Sequence, residues 1–73
     1  MKNINQKIGI VVRKQRLLTQ ISQERLGEAA GLHRTYISDV ERGKRNITIV
    51  SLYKIATALH LSLSNLIEEA EKL

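Results

Sequence analysis

Apolar residues along this chain recur at helical rather than alternating spacing. The clearest run is Ile49, Leu52, Ile55, Ala56 and Leu59, at i, i+3, i+6, i+7 and i+10. Thr48 stands before it as an N-cap, a residue whose hydroxyl accepts from a free backbone N–H, so the pattern predicts a helix over about 49–59. A second stripe, Leu63, Leu66, Ile67 and Ala70, follows the cap residue Ser62 and predicts a helix over about 63–71, with Leu73 extending the stripe. Towards the start, Ile8, Val11, Val12 and Leu18 outline a first helix whose apolar face Gln15 interrupts. It should stop near Thr19 and Gln20, because Ser22 is suited to cap the next one.

Two short helices fit between these, over about 23–30 and 34–42, separated by "GLH" and closed by Gly43 as a C-terminal stop. In "QERLGEAAGLHRTYISDVER" the residues Leu26, Ala30, Leu32, Ile37 and Val40 point inward, small Gly27 falls where helices must approach, and Gly31 sits at the turn. Two helices meeting steeply across a turn of three to four residues often place glycine there, since a left-handed backbone costs it nothing. The expectation is an all-α fold, a compact five-helix bundle with a helix-turn-helix, in one domain over 1–73.

Length and composition narrow this further. A chain of 73 residues buries a limited fraction of its surface, so self-association would help it. With no proline and four glycines there is no linker, low-complexity tract or repeat to separate. Cysteine is absent, which excludes disulfides and thiolate metal sites and makes the cytoplasm the default compartment. His33 and His60 form no metal spacing with nearby acids and read as a helix-start residue and a loop residue. The first sixteen residues are broken by Lys7, Arg13, Lys14 and Arg16, so they offer neither a signal-peptide core nor a membrane span.

The net charge of +5 is unevenly spread. Lys2, Lys7, Arg13, Lys14 and Arg16 share residues 1–22 with no acid, while the rest of the chain is nearly balanced. That asymmetry suits a polyanionic partner, although charge alone also fits a solvated surface. No nucleophile, base and orienting acid are grouped in a hydrolase pattern, and no phosphate-binding loop or dinucleotide fingerprint is present, so neither catalysis nor a cofactor or small-molecule ligand is expected.

On the constellation around Gly31, residues 6–70 resemble the phage-repressor-like helix-turn-helix DNA-binding domains of the Xre/Cro type. Within that family "LHRTYISDVERGKRNIT" is similar to the controller proteins of restriction-modification systems, small dimeric regulators that time expression of the endonuclease. The resemblance implies a recognition helix beginning near Arg34, whose first residues face base edges in the major groove. Arg34, Thr35 and Ser38 are then the base readers: Arg34 has the bidentate chemistry for guanine O6 and N7, and Thr35 offers a methyl to thymine and a hydroxyl to a neighbouring acceptor. Tyr36 would lie against the backbone or a deformed step, and "GKRN" offers Lys44, Arg45 and Asn46 to phosphate or sugar. Gln23, at the start of the second helix, fits a phosphate contact.

Other residues have more ordinary readings beside the functional ones. Glu41 would be an odd DNA contact, and the family pattern implies a structural ion pair with Arg16. Glu24 and Glu28, four apart, form a solubilising face in the simpler reading; in related phage repressors acids on this helix touch RNA polymerase. Val50 and Tyr53 lie off the main stripe of the fourth helix, and Ile67 and Leu73 extend apolar surface on the fifth. A two-fold dimer is expected there, as the resemblance also implies; covering of the monomer core is the rival for Tyr53. Gln20 stands where related sequences often have glycine, His33 where a smaller cap is common, and Gln15 where an apolar residue is expected.

The resulting expectation is a homodimeric transcription factor reading a pseudo-palindromic double-stranded operator with half-sites about one turn, or ~34 Å, apart. Its rivals are a phage or plasmid repressor or antitoxin of the same fold, and a protein-interaction module that has lost DNA binding. RNA binding lacks an aromatic stacking platform, Tyr36 and Tyr53 being the only aromatic residues.

Overall fold

The computed structural model describes residues 2–73; of the expected domain over 1–73, residue 1 lies outside the described residues. Five helices follow in order: α1 (Ile4–Leu18), α2 (Gln23–Ala30), α3 (Arg34–Glu41), α4 (Ile49–Ala58) and α5 (Leu63–Glu71). Each begins where a side chain accepts an otherwise free N–H. Asn3 and Gln6 form a reciprocal capping box that starts α1 four residues before Ile8. Ser22, Thr48 and Ser62 accept from the backbone N–H of Arg25, Ser51 and Asn65. Helices α3 and α4 end one residue short of the expected spans, because Arg42 and Leu59 serve as their C-caps.

Helix α1 packs against α3 and α5, α2 against α3 and α4, and α4 against α5. Where these contacts converge, Val12, Leu26, Ile37, Ile55 and Leu66 are fully buried, one from each helix. Leu32 is half-buried against this core. None of the helices of the described residues is long and apolar enough to cross a membrane.

Three apolar positions assigned to inward stripes lie outside the core, one of them Leu73, 55% exposed beyond the end of α5. Leu18 is 66% exposed: the inward position of the last α1 turn belongs to Arg16, and two residues on, at ~100° per residue, Leu18 is turned away from it. Ile49 is 63% exposed, because it occupies the first position of α4 at the edge of the Leu52–Ile55–Ala56 face and shares its outer side with Tyr53. Gln20 and His60 adopt left-handed backbones, with φ of 59° and 61°, in the turns that close α1 and α4. A side chain resists that region, so both positions are strained.

Candidate nucleic-acid interface

The α2–α3 corner is built from local bonds. Gly31 turns the chain with φ of 71°, and the N–H of Leu32 donates to the Gly27 carbonyl at 2.8 Å. His33 opens α3, its Nδ1 accepting from the N–H of Thr35 at 3.1 Å. An imidazole accepting there carries its proton on Nε2 when neutral. Ile37 and Val40, both buried, pin the inner side of α3 to the core. At ~100° per residue, Thr35, Ser38, Asp39 and Arg42 then share the opposite side, and Arg34 stands at its edge towards α2. Arg34 and Thr35 are exposed and Ser38 is half-buried one turn later.

The segment after α3 folds back along this side. Gly43, with φ of 70°, donates to the Val40 carbonyl at 3.0 Å, and the N–H of Lys44 donates to the Asp39 carbonyl at 2.9 Å. The Arg45 guanidinium lies over the Tyr36 ring, 4.6 Å from its centroid, a cation–π arrangement. Arg45 Nη2 also donates to Asp39 Oδ2 at 3.1 Å, while Arg42 Nη2 donates to Asp39 Oδ1 at 3.0 Å. Asn46 Oδ1 accepts from Asn5 Nδ2 of α1 at 2.7 Å, tying the loop to the first helix, and Lys44 is exposed. Partial desolvation of Asp39 pushes its pKa up, but hydrogen bonds and positive charge from Arg42 and Arg45 outweigh it and hold the carboxyl below its ordinary value.

Beneath this surface Arg16 and Glu41 form a buried ion pair, with Nε donating to Oε2 at 2.6 Å and Nη2 to Oε1 at 3.1 Å. Arg16 Nη1 donates to the Ile21 carbonyl at 2.9 Å, so the pair joins α1, the α1–α2 turn and α3. Gln23 Nε2 donates to Glu41 Oε1 at 3.0 Å. Its amide is thus oriented by Glu41, with one N–H left over for a further acceptor.

On the far helices Val50 and Tyr53 are exposed beside Ile49, Ile67 is half-buried against the core, and Leu73 borders Lys2, Lys7 and Ile10 at the start of α1. Glu24 and Glu28 are exposed on α2, with Glu28 3.8 Å from Arg25. Sequence reasoning missed four contributors: Asp39, Arg42, Asn5 and Ile49. The i, i+3 spacing of Asp39 and Arg42 on α3 was a legible signal for the first two; nothing local pairs Asn5 with Asn46.

The helix-turn-helix family pattern matches residues 12–66. The control protein C.SmaI of Serratia marcescens is 48% identical over 56 residues, covering 77% of this chain and 67% of that protein. The control protein C.BamHI of Bacillus amyloliquefaciens is 43% identical over 67 residues, covering 90% and 83%. Among solved structures, the restriction-modification controller protein C.AhdI from Aeromonas hydrophila superposes with a TM-score of 0.83 at 40% identity, covering 85% of this chain and 94% of that one.

Proposed function

Because the chain belongs to the helix-turn-helix family of transcriptional regulators, among its restriction-modification control proteins, we propose that it binds a pseudo-palindromic operator as a homodimer and controls its own and an endonuclease promoter. The observation that carries this reading is the shared surface of α3 and the loop after it. Arg34 and Thr35 stand exposed on the first turn, Ser38 follows one turn on, and Lys44 and Arg45 extend the same side with positive charge.

In this reading α3 enters the major groove, Arg34 pairs with a guanine, and Thr35 and Ser38 read neighbouring bases. Tyr36, Lys44, Arg45 and Asn46 hold the backbone or its shape, and Gln23 gives its remaining amide N–H to a phosphate. Ile49, Val50 and Tyr53 supply apolar area for a two-fold partner, with Ile67 and Leu73 on the adjoining helix. The dimer represses or activates according to where its operator lies relative to the promoter, and it acts in the cytoplasm, where the DNA is. The exposed Glu24 and Glu28 are the surface from which RNA polymerase would be touched. A neighbouring methyltransferase or endonuclease gene separates this reading from that of a phage repressor.

The test is binding of wild type and Arg34→Ala to the chain's own upstream promoter duplex and to scrambled duplex across a salt series. Each neutralised phosphate contributes about 0.9 to the log–log slope. Wild type should prefer the promoter, and Arg34→Ala should lose that preference while keeping most of the slope. No preference by wild type at moderate salt would sink the proposal and favour a protein-interaction module.

A further inference from the structure

Asp39 is an acid in the middle of the most basic surface of α3 and its loop. A carboxylate there repels phosphate, and pairs as exposed as those it forms with Arg42 and Arg45 contribute little to stability. What distinguishes it is connectivity. Its two oxygens are taken by two different arginines, at 3.0 and 3.1 Å, and its own carbonyl accepts the N–H of Lys44 at 2.9 Å. One residue therefore holds the loop by its backbone and two cationic side chains by its carboxylate. The second of those side chains, Arg45, is clamped from the other side by the face of Tyr36.

We propose that Asp39 is a specificity-determining positioning residue, which fixes Arg45 against Tyr36 and withholds the charge of Arg42 and Arg45 from arbitrary phosphates. The inference rests on the DNA-facing reading of α3. A long arginine side chain that is free to move finds a phosphate on any duplex, and affinity of that kind scales with the number of phosphates neutralised. Arginines paired with Asp39 make that contact only by giving up a partner. On the operator, where α3 is held by base contacts, a preset Arg45 meets its own target without being ordered first. Asp39 thus lowers binding to the wrong DNA more than to the right DNA, and specificity is the difference between the two.

The experiment compares wild type, Asp39→Asn and Asp39→Asn/Arg45→Ala on promoter and scrambled duplex across a salt series, with thermal melts of each. It also records the proton shifts of the Arg45 side chain, which the Tyr36 ring current moves upfield, in the protein without DNA. Asp39→Asn should bind scrambled duplex more tightly, with a slope steeper by about 1.8 for the two further phosphates that Arg42 and Arg45 reach, which is about a twelvefold change in affinity over a fourfold change in salt. Its promoter-to-scrambled ratio should fall, the Arg45 shifts should move downfield, and the double variant, in which Arg42 alone is released, should lose about 0.9 of that added slope. If wild type prefers the promoter but Asp39→Asn changes neither slope nor ratio, the inference is overturned. Equal weakening on both duplexes with an unchanged slope and a lower melting temperature would mark a merely structural role and overturn it as well. If wild type shows no preference for the promoter, the DNA-facing reading fails, and this inference falls with it.

Discussion

Replacing Glu41 by alanine should destabilise the protein by about 3–5 kcal/mol, several times the value of an exposed ion pair. The Glu41 side chain is 2% exposed and that of Arg16 is 11% exposed. Three donors converge on the carboxylate, two from Arg16 at 2.6 and 3.1 Å and one from Gln23 at 3.0 Å. Alanine removes all three acceptor contacts and leaves a desolvated guanidinium with the Ile21 carbonyl at 2.9 Å as its remaining partner. Hydrogen bonds to charged groups contribute about 1.5–3 kcal/mol each, and the desolvation that Glu41 itself no longer suffers offsets part of that sum. At ~0.05–0.15 kcal/mol per residue, a chain of 73 residues has only about 4–11 kcal/mol in total. The variant should therefore be marginal, with Tm lower by at least about 12 °C. Urea unfolding followed by far-ultraviolet circular dichroism measures the loss, with Arg16→Met/Glu41→Leu as the control. Removing both charges should leave stability within about 2 kcal/mol of wild type. A loss below about 1 kcal/mol for Glu41→Ala, or equal losses for the single and double variants, would refute the argument that the unpaired buried charge dominates.

Three further expectations concern other parts of the molecule. Gln20→Gly should stabilise by about 0.5–1 kcal/mol, since relief of the left-handed backbone at φ of 59° exceeds the added chain entropy of glycine; a lower Tm would show that the Gln20 side chain matters more than its backbone. Gly9→Ala should lose about 3 kcal/mol or more, because a Cβ there runs into the Val40 and Glu41 carbonyl oxygens, which are backbone and cannot rotate away; a thermal melt within about 3 °C of wild type would contradict so close an approach of α1 to α3. The Asp39 carboxyl should titrate by NMR below the ordinary value of about 3.9, and Arg45→Ala should move it up. With its folded pKa depressed, its contribution to stability is present above the unfolded pKa and is lost as pH falls through the folded one. A midpoint at or above 3.9 would mean that the arginines do not hold it in solution.

The parts of the fold legible along the chain are those governed by neighbours within about one helical turn. Thr48, Ser22 and Ser62 cap the helices they precede because a hydroxyl needs only the N–H three residues on. The turn at Gly31 follows from one dihedral angle, and the buried faces of α4 and α5 follow from their spacing. The exposed first turn of α3 was equally readable, since Ile37 and Val40 fix which side turns inward. Periodicity was weakest at helix ends: it took Leu18 and Ile49 inward, whereas Arg16 holds the inward position of the last α1 turn and Ile49 stands at the edge of the α4 face.

By itself, then, the sequence determined five helices, the N-caps of three of them, most of their inward faces and a basic, polar first turn on α3, all of which depend on short-range sterics and hydrogen bonding. Only the tertiary structure decided which distant groups meet. Arg16 reaches Glu41 across 25 positions and Asn5 reaches Asn46 across 41, and Gly9 is required by the carbonyls of another helix. The pairing of Arg16 with Glu41 was expected from family resemblance, not from spacing. The loop after α3 has no periodicity of its own; Asp39, Arg45 and Tyr36 come together because Gly43 turns the chain back along the helix. Contacts of that kind depend on how helices pack, and packing is settled by the whole core at once.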